Sequence, residues 1–169
     1  RIYNCAFLPV EDVASFSETM FLLLGGTGVG YSVQDRHISK LPTVQGTSGD
    51  ARRYLVGDSI EGWADAVKVL VESHFFGKST LVFDYSDIRE KGAALVTTGG
   101  KAPGHKPLKK CIELLDEVLT KAKGIRLKSL QVHDLMCHIA DAVLTGGIRR
   151  AAMICLFDRW DEDMLTCKA

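Results

Sequence analysis

Short runs with the composition of β-strands alternate along this chain with longer segments whose apolar residues recur at helical spacing. That alternation constrains the fold more than any other feature, because strand and helix exchanged in this order build α/β architecture. The first run is IYNCAFLPV (2 to 10). It is followed by a segment, Val13 to Leu24, that places Val13, Phe16, Met20 and Leu23 or Leu24 on one helical face, with Asp12 expected as its N-cap and Gly25 as its stop. A strand is expected over Val29 to Val33. Gln34 to Gly57 is polar and rich in Gly, Ser and Thr, and reads as a long loop or insertion.

Asp58 is expected to open a helix, with Glu61 three residues on as in a capping box and Ile60, Trp63, Ala64, Val67, Leu70 and Val71 as its stripe, ending near Gly77. Thr80 to Tyr85 reads as a strand. A Gly-rich basic connection (88 to 107) leads to a helix whose buried face includes Leu108, Cys111, Ile112 and Leu115. A further helix, Leu130 to Leu144, precedes Gly146 and Gly147, and Ala152 to Phe157 closes as a strand. No internal repeat is evident.

With 169 residues and 46% hydrophobic content the chain can bury a sizeable core, as one domain or a large part of one. Twenty-one basic and 21 acidic side chains cancel, which argues against nucleic acid or an anionic membrane as partner. Five dispersed cysteines without a CxxC pair point to a reducing compartment, the cytoplasm. No apolar run reaches membrane-spanning length. The chain begins at Arg1, running at once into a strand, and stops within an amphipathic segment (DEDMLTCKA), so it reads as an internal fragment.

The individual motifs are weak. GGTGVG (25 to 30) follows a helix and precedes a strand, the reverse of a dinucleotide-binding turn, so a helix stop and tight turn explain it locally. GGKAPG (99 to 104) lacks the ending of a P-loop. Arg149 and Arg150 after Gly146 and Gly147 suit phosphate or base contacts, or form a solvated basic turn. His133 and Cys137 share a helical face; packing and a surface His explain them better than zinc does. Cys5, in an apolar strand, is by itself a small buried hydrophobe.

Taken together and in order, five stretches say more. YNCAFLPV (3 to 10), SETMFLLLGGTGVGYSV (17 to 33), VGDSIEGWADAV (56 to 67), FDYSDIREKGAALVTTGGKAPGHKPL (83 to 108) and DAVLTGGIRRAAMICLFDRWDEDML (141 to 165) closely resemble the adenosylcobalamin-dependent ribonucleoside-triphosphate reductases, the monomeric branch of the class II ribonucleotide reductases. The resemblance implies the first half of a ten-stranded α/β barrel with an inserted effector-site segment. Residues 1–34 would hold the first barrel strands and helix, 35–79 the insertion, and 80–169 the continuation with the specificity loop.

It further implies a thiyl-radical reduction initiated by adenosylcobalamin. Cys5 would be one redox-active thiol of a disulfide-forming pair, pointing inward toward a cavity, with its partner, the thiyl Cys and a Glu beyond Ala169. Asn4, Gly26 and Gly28 match substrate-binding positions, so here the resemblance reverses the local reading of the glycines as a turn. Asp12 and Arg89 match effector-binding positions, and Gly146, Gly147, Arg149 and Arg150 belong to the loop that relays effector identity. The implied partners are a ribonucleoside triphosphate substrate, a deoxyribonucleoside triphosphate effector and a dithiol reductant such as thioredoxin, with the complete protein a monomer. Two other readings stand beside this one: a non-catalytic nucleotide-binding regulatory module, and a generic α/β domain whose glycines are turns.

Overall fold

The computed structural model describes residues 5–95, 100–146 and 151–168. Its first unit is a parallel crossover: β1 (Cys5–Pro9) leads through α1 (Ser15–Leu24) to β2 (Gly28–Ser32), and β5 (Met153–Leu156) joins the far side of β2, giving the parallel order β1-β2-β5. A second parallel crossover, β3 (Arg52–Leu55), α3 (Ile60–Phe76) and β4 (Leu81–Asp84), forms a separate two-stranded sheet. The remaining helices are α2 (Asp35–Ile38), α4 (Lys106–Lys121), α5 (Ser129–Thr145) and α6 (Glu162–Thr166). The mixed α/β class expected from the alternation is present, whereas a ten-stranded barrel is not contained in the described residues.

Four helices pack in a ring: α1 against α3, α3 against α4, α4 against α5, and α5 back against α1. Their apolar stripes form one core, with Phe16, Met20, Phe75, Leu108, Leu115, Leu119, Leu135, Met136 and Ile139 essentially inaccessible. Full burial of such side chains contributes about 1.5–3 kcal/mol each before conformational entropy is charged against it. Cys111 lies on the buried face of α4, as its spacing predicts. No helix among the described residues is long and apolar enough to cross a membrane.

Several boundaries differ from expectation for identifiable reasons. Asp12 does not cap α1; the N-cap is Ala14, and the Asp12 carbonyl instead accepts the Ser15 N–H at 3.2 Å. Asp58 does not cap α3 either. Ser59 does, its Oγ accepting the Gly62 N–H at 2.9 Å, which frees the Asp58 carboxylate for another partner. The stretch from Gln34 to Gly57 is not wholly loop, since it contains α2 and β3, the latter a strand with an exposed outer side that carries Arg52 and Arg53. Arg53 and Asp84 form an ion pair across β3 and β4.

At the end of α1 the Gly26 N–H reaches the Leu23 carbonyl and the Thr27 N–H reaches that of Leu22, while Gly26 takes φ 82. This is a Schellman termination, which requires a left-handed residue that a side chain would strain. The helix-stop reading of the first glycines is therefore correct for Gly26.

Candidate functional site

Side chains alternate across a strand, and paired residues of parallel strands share a face. The register pairs Cys5 with Gly28, Phe7 with Gly30, Gly30 with Ile154 and Ser32 with Leu156. These residues lie on one face of the three-stranded sheet. The opposite face carries Val29 and Tyr31, 2% and 1% exposed beneath the helices. On the Cys5 face, by contrast, Phe7 is 59%, Ile154 69% and Leu156 46% exposed.

Cys5 is a free, exposed thiol on this open apolar face. The expectation of a sulfur directed into an enclosed cavity is thus not met within the described residues, because the three strands offer a floor that α2 covers at the Ser32 end and that stays open around Cys5. Gly30 sharpens the picture. Its φ is not left-handed, and a Cβ there would meet nothing closer than 3.9 Å, so neither backbone conformation nor packing among described residues demands glycine. What glycine does provide is a flat strip of backbone beside the Cys5–Phe7 edge that a ligand can approach closely. Gly28, directly across from Cys5, opens that strip. Asn4 lies outside the described residues.

A second candidate region lies between α1 and α3, where a cleft of about 490 Å³ is lined by Ser17, Glu18, Phe21, Glu61, Asp65 and Lys68 among others. Burial, and secondarily the charge of Asp12, hold the Glu18 carboxyl above the usual carboxylate range. Asp12 therefore adjoins this cleft through Glu18. Arg89 adjoins the start of α3: its Nε donates to Asp58 Oδ2 at 2.6 Å and its backbone N–H to the same oxygen at 3.3 Å. Asp12 and Arg89, 77 positions apart in the chain, are brought to the beginnings of the two helices that wall the cleft.

Gly146 is the C-cap of α5 with an ordinary right-handed φ of −66°. Gly147, Arg149 and Arg150 lie outside the described residues, bracketed by α5 and β5.

The reading of His133 as a surface residue needs correction. Its Nδ1 lies 2.5 Å from Tyr31 Oη, and Cys137 Sγ is 3.5 Å from its Nε2. Burial lowers the pKa of His133, which favours the neutral ring as acceptor for the tyrosine hydroxyl. Burial likewise pushes the Cys155 thiol, beside Tyr31 in the β2–β5 register, up to about 11. No group of three or more His, Cys, Asp or Glu among the described residues is placed to hold a metal ion. The signal in the sequence was Tyr31 itself, a polar-tipped residue within the apolar run of a central strand, which needs a buried partner.

A family model described as "B12-dependent ribonucleotide reductase, insertion domain" matches residues 31–120. The adenosylcobalamin-dependent ribonucleoside-triphosphate reductase of Euglena gracilis is 30% identical over 98% of this chain and 23% of its own length. That of Lactobacillus leichmannii is 31% identical over 86% of this chain and 24% of its own. A crystal structure of a B12-dependent (class II) ribonucleotide reductase superposes with a TM-score of 0.86 at 26% identity, covering 98% of this chain and 30% of that one. The chain thus spans about a quarter of the length of these relatives. With more than half its residues inside the family model and its described fold reproduced in a solved class II enzyme, this chain belongs to the B12-dependent ribonucleotide reductases and includes their insertion domain.

Proposed function

We propose that this chain is the part of an adenosylcobalamin-dependent ribonucleoside-triphosphate reductase that supplies one redox thiol, part of the substrate floor and much of the effector apparatus. The observation that carries the reading is Cys5, exposed at the open end of the sheet face beside Gly28 and Gly30. A thiol that must reach both a ribose C2′ and a partner sulfur has to be held by a rigid element with free space above it. Strand β1 offers the first and the open face the second. In the reaction the 2′-hydroxyl leaves as water, and Cys5 and a second cysteine give up two protons and two electrons as they join in a disulfide.

The sheet is read as the start of the ten-stranded barrel, with the open face turned to its interior. Segment 35–79 is read as the insertion that stands in for a dimer partner, so the complete protein is a monomer. Asp12 and Arg89 are read as gripping a deoxyribonucleoside triphosphate near the α1–α3 cleft, and residues 146–151 as relaying its identity. Asn4, Gly26 and Gly28 are assigned to substrate, a dithiol such as thioredoxin to re-reduction, and the cytoplasm to location.

Cobalamin, when bound, supplies the radical. The cleft does not fit as its seat, because it presents carboxylates and an amine. The regulatory-module alternative is disfavoured because the relatives matched over 98% and 86% of the chain are named as reductases.

In the full-length enzyme, Cys5→Ser is expected to abolish multiple turnover supported by a dithiol, since serine forms no disulfide, and to leave dATP or dGTP binding in equilibrium dialysis unchanged. Wild-type turnover by the Ser variant removes Cys5 from the chemistry.

A further inference from the structure

The Tyr31 side chain hangs from β2 on the face opposite the Gly28–Gly30 strip, so one strand carries both the substrate floor and this buried phenol. Its hydroxyl meets His133 on α5 at 2.5 Å, and its ring stacks on the imidazole with centroids 6.1 Å apart. In register beside it on β5 sits Cys155, and Cys137 Sγ on α5 lies 3.5 Å from His133 Nε2. Helix α5 and strand β5 are the two elements that bracket residues 146–152. The Tyr31 hydroxyl therefore ties the α5 flank of that segment to the strand on which substrate would lie, and the β2–β5 ladder ties the other flank.

We infer that Tyr31 and His133 form a positioning pair that couples the specificity loop to the substrate strand. The inference rests on the reading of 146–151 as the effector relay. A loop can pass on an effector's identity only if its two flanks move, or hold, relative to the substrate site. Backbone pairing already fixes β5 to β2, but α5 is held to β2 by side chains, and the hydrogen bond at Tyr31 is its polar tether. An apolar contact in its place would tolerate sliding and rotation; a short bond between a buried hydroxyl and an imidazole specifies one position.

The test uses the full-length enzyme with ATP and CTP as competing substrates and each of the four common deoxyribonucleoside triphosphates as effector. Tyr31→Phe keeps the ring and removes only the oxygen. The expected result is effector-free turnover within about twofold of wild type, with effector-driven change in substrate preference reduced at least about fivefold, the lower end of ordinary allosteric coupling. His133→Ala is expected to do the same, and the double variant no more than either alone. Unaltered effector response in both single variants overturns the coupling while leaving the reductase reading intact. Equal loss with and without effector reduces the pair to a structural contact and overturns it too. A wild-type enzyme whose preference ignores every effector overturns both the relay reading and the pair.

Discussion

Two cysteines of this chain have opposite surroundings, and their chemistry follows from that difference. Cys5 is exposed on the open part of a sheet face, whereas Cys111 is sealed on the buried face of α4, where burial foremost and Asp141 in addition push its thiol up to about 12. A thiol whose folded pKa exceeds its ordinary value of 9.0 stabilises the fold fully below that value, and the contribution is lost as pH climbs from 9 through the folded pKa. Cys155, at about 11, acts in the same direction. The thermal midpoint of the chain is therefore expected to fall as pH rises above 9, and Cys111→Ala to flatten that decline while costing some stability at neutral pH. Equal alkaline slopes for both proteins would contradict the assignment. The burial of Cys111 was legible from its helical spacing. The exposure of Cys5 was not, because an apolar strand is compatible with either face, and which face is covered depends on chain far away in sequence.

Among the elements, α3 shows how close approach overrides propensity. Gly62 sits in its first turn, and a Cβ there would lie 2.2 Å from the Gly57 carbonyl oxygen, so the loop entering the helix passes directly against its backbone. In an open helix, Gly→Ala adds about 1 kcal/mol of stability. Here Gly62→Ala is expected to destabilise instead, by roughly 1–3 kcal/mol, as an overpacked site does, in denaturant unfolding monitored by circular dichroism. A stabilised variant would show that the entering loop yields freely. The long helices were legible because their stripes run over three or more turns, although two caps were misplaced: Asp12 and Asp58 are good capping residues in isolation, and only the structure reveals that Asp58 is engaged by Arg89. Strand β3 was hidden because Arg-Arg-Tyr-Leu has no clean alternation when its outer side faces solvent. The partnership of Tyr31 with His133 joins residues 102 positions apart, a separation that no local pattern records.

At the scale of the whole molecule, the described residues contain one closed core and one open surface. The ring of four helices seals its own apolar stripes, but Phe7, Ile154 and Leu156 stand exposed together on one sheet face, an apolar surface of the kind that promotes association. Prepared alone, this 169-residue chain is expected to associate with increasing concentration in sedimentation velocity, and Phe7→Ser with Ile154→Ser to suppress it; a monodisperse wild-type chain at all concentrations would mean the face is not sticky. The α/β class could be read from alternation and the family from five ordered motifs, whereas the ten-stranded barrel that the resemblance implies is not contained in the described residues.

The central claim is that Cys5 works as half of a redox pair on that face. Full-length enzyme, reduced and then allowed a single turnover without external dithiol, should be quenched with an alkylating agent and mapped by mass spectrometry. Cys5 is expected in a disulfide with a cysteine from outside these 169 residues, in an amount matching the deoxyribonucleotide formed. Recovery of Cys5 as an alkylated free thiol alongside product would contradict the account.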